Sequence, residues 1–284
     1  GLSENPAFHA GNTGTRHLIL DCHKRWPKQP APGRGWFSMS RIYTETFDDG
    51  PGGWVADLRS PLPVWDGVAH CFSPWSVDAN HAPPGAGYLH LLMYLITHTS
   101  SLSPTDAEQH GRNRFVENGY STNLTNAKLT VRLRGTMDLA GPLCNYHTPV
   151  PQPDLGGSRL LILVQARIDG PPRTTANFVL TGQPLEITPE WSQQTVHLDP
   201  DPGQWTCLGA RHDMTDVYGY GDIAEVLRDV NVDIIFILYP LTIVPIGEVG
   251  DIHGQWAAKD YKVDMQHLPK GLVMFDTVQI EYTA

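Results

Sequence analysis

The sequence predicts an all-β protein, a two-sheet antiparallel sandwich with one short helix and long loops, on three observations. Short segments between residues 41 and 282 alternate apolar and polar side chains, the period of a strand with one covered face. Glycine supplies 27 and proline 24 of the 284 residues, a surplus that suits strands joined by turns better than long helices. A helical pattern is confined to residues 222–230: Asp222 and Glu225 resemble a capping box, and Ile223, Val226, Leu227 and Val230 recur at helical spacing.

Taken in order, residues 1–40 hold one short apolar run at 16–21 and a proline-rich stretch at 26–35, where prolines offer no backbone donor. They are expected to be an arm laid over the body rather than a domain. Residues 41–47 alternate, and Asp48-Asp-Gly-Pro-Gly-Gly-Trp54 must end that strand. Next comes a polar loop with Trp75, Asp78, Asn80 and His81, stiffened by Pro83 and Pro84, which feeds a strand over 88–96. Strict alternation sends Tyr88, His90 and Tyr94 to one face of it and Leu89, Leu91, Met93 and Leu95 to the other.

Residues 99–119 form a polar loop longer than usual connections. The cleanest strand follows at 128–134, with Leu129, Val131 and Leu133 on one side and Lys128, Thr130, Arg132 and Arg134 on the other. Residues 159–168 are apolar on both faces, as a central strand is, and turn polar at Gln165 and Arg167. Strands at 177–180, 193–198, 234–239 and 272–282 bring the total to about nine, the profile of a sandwich. No composition break divides them, so residues 41–284 read as a single domain.

Composition excludes several roles. The formal net charge is −10 with 13 histidines counted neutral, and no basic stripe is present, so neither nucleic acid nor an anionic membrane is an expected partner. The longest apolar runs are strand-sized. The N-terminus has no basic start leading into an apolar run, which places the chain in the cytoplasm or, with a signal peptide already removed, outside the cell. Cys22, Cys71, Cys144 and Cys207 are widely spaced; free buried thiols and disulfides both fit.

Three stretches together resemble the jelly-roll carbohydrate-binding modules and related galactose-binding-like or lectin-like sandwiches. They are the acidic turn followed by tryptophan, Thr46-Phe-Asp-Asp-Gly-Pro-Gly-Gly-Trp54, the short helix leading into a core strand over 223–238, and the last strand Phe275-Asp-Thr-Val-Gln-Ile280. The resemblance implies a jelly-roll order of strands and a saccharide ligand. It also implies a structural calcium shared by Asp48 and Asp276, with Asp49 as a spare oxygen donor. The residues by themselves fit an Asx-type turn at Asp48–Asp49 equally well. The long loops depart from a compact module, and added loops commonly build a deeper site.

The candidate site comes from strand faces. Arg132, Arg134, Gln165 and Arg167 alternate away from the apolar sides of their strands, as do His90 and Tyr94. If those strands are neighbours, they make a polar stripe with aromatic character, as a saccharide requires; Trp75, Tyr88 and Trp205 would extend the platform. A solvated outer face accounts for the same pattern. His81 with Asp78 has the composition of an oriented general base, with His90 nearby and Arg132 or Arg134 placed to stabilise an anion. A transition metal on His81, His90 and His147 lacks a recognised ligand spacing. No phosphate loop, dinucleotide fingerprint or serine elbow is present, so no nucleotide or organic cofactor is expected.

The sequence thus points to a carbohydrate-active protein that binds a saccharide or glycoside, with histidine acid/base chemistry of a lyase or hydrolase. A non-catalytic, lectin-like protein and a structural subunit with an interface face stand beside that reading, because a fold does not by itself assign a reaction.

Overall fold

The computed structural model describes residues 42–56, 61–73, 88–98, 112–139, 144–145, 148–151, 157–168, 175–208, 221–241, 243–245, 261–263, 266 and 268–283. All of them belong to one unit, Ser38–Ala284. The arm expected at residues 1–40 lies outside the described residues.

In chain order the strands are β1 (Ile42–Glu45), β2 (Trp54–Val55), β3 (Val64–Trp65), β4 (Val68–Ser73), β5 (Tyr88–Ile96), β6 (Ala127–Asp138), β7 (Cys144–Asn145), β8 (Thr148–Pro151), β9 (Arg159–Arg167), β10 (Thr175–Val179), β11 (Ser192–Leu198), β12 (Thr206–Cys207), β13 (Asp233–Leu241), β14 (Ile243–Pro245), β15 (Tyr261–Val263) and β16 (Lys270–Glu281). Among the described residues the α-helices are α1 (Arg114–Glu117) and α2 (Ile223–Arg228).

The main strands pair from the outside of the chain inward. β4 lies antiparallel to β16, β5 to β13, β6 to β11 and β9 to β10. β4, β6, β11 and β16 share one sheet, in the order β11-β6-β16-β4-β3 with β1 also on β16; β5, β9, β10 and β13 share the other, β12-β10-β9-β13-β5-β2. Nested antiparallel pairing of eight strands across two sheets is the jelly roll, so the expected fold class is the one found.

One core cluster joins the two sheets. Leu129, Val131 and Leu133 of β6 and Val273, Phe275, Val278 and Ile280 of β16 pack in it with Leu160, Ile162 and Val164 of β9 and Ile234, Phe236 and Leu238 of β13. Each such side chain, fully buried, contributes about 1.5–3 kcal/mol of transfer free energy. Period-2 alternation in β6 is what delivers three leucine-sized groups to this interior while its basic residues face outward.

The sheets differ on their outer sides. The β6/β16 sheet alternates, leaving its outer face half-exposed. In the other sheet, β9 is buried on both faces, and Leu161, Leu163, Ile235, Ile237 and Tyr239 join a second cluster on its outer side. Central position in the sheet and dual burial explain why residues 159–167 read as a continuous apolar run.

Two features differ from expectation. The single predicted helix is α2, capped as expected by Asp222, whose Oδ1 accepts the Ala224 N–H at 2.8 Å; α1 is a second, one-turn helix, capped by Asn113 from the Val116 N–H at 3.1 Å. It was hidden in a stretch with little apolar periodicity. In β5, strict alternation fails. A register shift lies between the pairs Phe236–Met93 and Ile237–Leu91, so Leu92 and Met93 both enter the inner cluster while Leu89, Leu91, Tyr94 and Ile96 take the outer side. A bulge inserts one residue and reverses the facing of everything beyond it.

Candidate functional site

The outer face of the β6/β16 sheet carries the chemistry that remains accessible. It begins at the hairpin between β3 and β4, whose two loop residues are Asp66 (φ 52°) and Gly67 (φ 71°). Positive φ at both central positions is the condition for a tight I′-type connection, and Asp-Gly satisfies it. This turn sets Trp65 opposite Val68, on the outer side, with its ring 4.5 Å from that of His70 and 6.2 Å from that of Phe72. Trp65 is 54% and Phe72 40% exposed, among the largest apolar side chains left in solvent among the described residues.

Register extends this patch across three strands. His70 faces Met274, and Met274 faces Arg134. Residues opposite one another in an antiparallel pair share a face, with strands about 4.8 Å apart, so His70 and Arg134 flank Met274 in one row. Beyond Arg134 lies Trp191, just before β11; the guanidinium carbons of Arg134 and Arg132 lie 4.8 and 4.9 Å from its ring centroid. Arg132 Nη1 also meets Asp276 Oδ2 at 2.8 Å. Asp276 occupies the bulge between Phe275 and Thr277, where the partner strands of β16 change from β4 to β1.

The expected polar stripe is not one surface. Arg132 and Arg134 lie on the outer face just described. His90 is buried and faces Leu238, a member of the inner core, so it sits on the opposite side of the β6/β16 sheet from Arg132. Tyr94, expected beside His90, belongs to the outer cluster of the other sheet because of the β5 bulge. Gln165 is also buried on that distant face, where its Nε2 donates to Asn177 Oδ1 at 2.6 Å. Arg167 is exposed at the end of β9, with its backbone N–H bonded to Asn231 Oδ1 at 2.8 Å. Tyr88 opens β5 opposite Leu241. Trp205 is buried, and its indole N–H donates to the Asp199 carbonyl at 2.8 Å. Trp75, Asp78, His81 and His147 lie outside the described residues.

Asp48 and Asp276, on which a structural calcium is expected, each have protein partners. Asp48 Oδ2 accepts the Thr46 hydroxyl at 2.7 Å, and Asp276 Oδ2 accepts the Thr277 hydroxyl at 2.9 Å besides its ion pair with Arg132. Asp49 is taken by Arg114 at 3.2 Å. Calcium needs six to eight oxygens, and no group of three His, Cys, Asp or Glu side chains that could hold a metal occurs among the described residues.

One buried ionisable group escaped the sequence reading. Glu45 is fully buried at the end of β1. Its Oε1 accepts the Phe47 N–H at 2.9 Å and lies 3.7 Å from Arg114 Nη1, while Oε2 has no hydrogen-bond partner among the described residues. Burial holds its carboxyl above the ordinary carboxylate range, outweighing the Phe47 N–H and the Arg114 charge. Burial likewise raises the thiols of Cys71 and Cys207, so neither has the thiolate character of a nucleophile. Trp65, His70, Phe72 and Trp191 were also missed; the Asp66-Gly67 pair flanked by Trp65 and Val68 is the sequence signal that marks their hairpin.

No family model matches the chain, and no curated protein matches it. A solved structure is similar at TM-score 0.32 and 11% identity, over 85% of this chain and 99% of that one. It comes from work stating that "Prominent members of the human gut microbiota express endo-acting O-glycanases to initiate mucin breakdown". A likeness at that score carries no argument about the chemistry of this chain. Class is therefore defined by the fold, a jelly-roll sandwich in which the outer face of the β6/β16 sheet carries exposed aromatic and charged side chains. No described helix is long and apolar enough to cross a membrane.

Proposed function

We propose that this chain binds a saccharide or glycoside on the outer face of the β6/β16 sheet. The observation that carries the reading is the half-exposed aromatic surface of Trp65 and Phe72, continued through His70 and Met274 to Trp191. Planar rings offer apolar faces to the C–H side of a sugar, and polar groups between them meet its hydroxyls. Here the rings are interspersed with the polar groups His70, Arg134 and Gln193 as well as with Met274. Leaving two large aromatics in water forgoes about 25 cal/mol per Å2 of burial, which a ligand recovers.

Acid/base catalysis as a lyase or hydrolase would rest on Asp78 and His81, since His90 is enclosed. Lectin-like binding needs only the described face and is the reading favoured here.

Affinity electrophoresis against a panel of neutral and acidic polysaccharides tests it. W65A and F72A should each weaken retention at least tenfold with the melting temperature unchanged. Retention equal to wild type in both variants, or no polysaccharide retained by the wild type, would overturn the assignment.

A further inference from the structure

The outer face of β6 is a ladder of charges, each answered across the strand by β16 except at one rung. Lys128 faces Glu281, Arg132 is paired with Asp276 at 2.8 Å, and Asp138 faces Lys270. Opposite charges placed in this way stabilise a pair of strands by about 0.2–1 kcal/mol each. Arg134 breaks the series: its opposite residue is Met274 on one side, and Trp191 lies against it on the other. It makes no ion pair among the described residues, and its Nε is buried with no hydrogen-bond partner. On this face Arg134 has an apolar residue, not a carboxylate, opposite it.

A guanidinium without a partner is costly where water is partly excluded. It is also the group best shaped to take two oxygens of a carboxylate or sulfate. Its neighbours fit a sugar that carries such a group. Trp191 holds the guanidinium plane from one side, His70 lies across Met274 with its Nδ1–H given to the Val68 carbonyl, and Trp65 and Phe72 continue the aromatic surface beyond.

We propose that Arg134 recognises the anionic group of an acidic saccharide, a carboxylate or a sulfate, and that Asp276 sets the strength of this site by neutralising Arg132 beside it. The proposal rests on the saccharide reading above and adds the ligand's charge class. Arg132 and Arg134 share the Trp191 ring, so releasing Arg132 from Asp276 would place a second cation within reach of the same anion.

Isothermal titration of the intact protein with matched probes tests this. The pairs are oligogalacturonate against its carboxyl-reduced counterpart, and chondroitin sulfate oligosaccharides against the desulfated form. At low salt the charged member of at least one pair should bind at least tenfold more tightly than its neutral partner, and added salt should erase the difference. The pair that shows it identifies carboxylate or sulfate. R134M should abolish the preference, weakening the charged member at least tenfold more than its neutral partner, and R134K should retain part of it. Equal affinity for charged and neutral members, or a preference that survives in R134M, overturns the proposal while leaving the saccharide reading intact. Failure of every member to bind overturns both. Should R134M fail to fold, D276N decides: it should raise affinity for the charged probe about threefold without changing the neutral one, and unchanged affinity for both overturns the proposal.

Discussion

Oε2 of Glu45 occupies the space in which a side chain on Gly52 would begin: an ideal Cβ there would lie 1.8 Å from it. Gly52 also has φ +60°, where a residue with a Cβ is disfavoured by about 1–2 kcal/mol. G52A should therefore destabilise the protein by about 2–3 kcal/mol, combining strain with displacement of a fully buried carboxylate. Denaturant unfolding would measure it. The double variant E45A/G52A should lose less than the two single effects added, because the overlap is then gone; strict additivity would disprove the contact.

The same carboxyl predicts a pH dependence. Its pKa is raised in the folded state above the ordinary 4.5, so the folded protein holds the proton more tightly than the unfolded chain. Its stabilising contribution is fully present below the unfolded value and is lost as pH rises through the raised one. E45Q, which stays neutral and keeps an acceptor for the Phe47 N–H, should gain stability relative to wild type as pH rises across that window. Parallel stability curves for the two proteins would contradict this.

Chelation should leave the melting temperature unchanged, since Asp48 and Asp276 each have protein donors. A fall in melting temperature that added calcium reverses would instead assign a structural ion. By itself D276N should cost less than about 1 kcal/mol, because Arg132 and Asp276 are 42% and 30% exposed and the pair is partly screened.

Gln165 and Asn177 are structural on the buried side of the other sheet. Q165L should cost about 1–3 kcal/mol by leaving the Asn177 carbonyl without its 2.6 Å donor. The saccharide binding proposed for the far face should be unaffected, which distinguishes this pair from the residues proposed to bind ligand.

How much of this was legible in sequence can be argued from single strands. The alternation of residues 128–134 faithfully gave the inner leucines and outer arginines of β6, because nothing interrupts the strand's period of two. In β5 the same rule put His90 and Tyr94 on one face and failed, because the bulge at Leu92–Met93 is set by pairing with β13 and leaves no mark in a run of leucines. Gln165 and Arg134 look alike as polar residues on alternating strands, yet one is buried and the other borders solvent. Alternation assigns two sides to a strand without saying which side another layer covers.

By itself, then, the sequence determined the all-β class, the position of the major strands and the cap of α2, since these follow from local periodicity and from side chains that bond their own backbone. Tertiary structure alone decided that Arg134 stands between Trp191 and Met274 with no counter-charge among the described residues, that Arg132 is answered by Asp276, and that Trp65 and Phe72 join them. Those relationships connect residues 65, 72, 134, 191 and 274, and only the nesting of β4, β6, β11 and β16 in one sheet brings such distant positions to a common face.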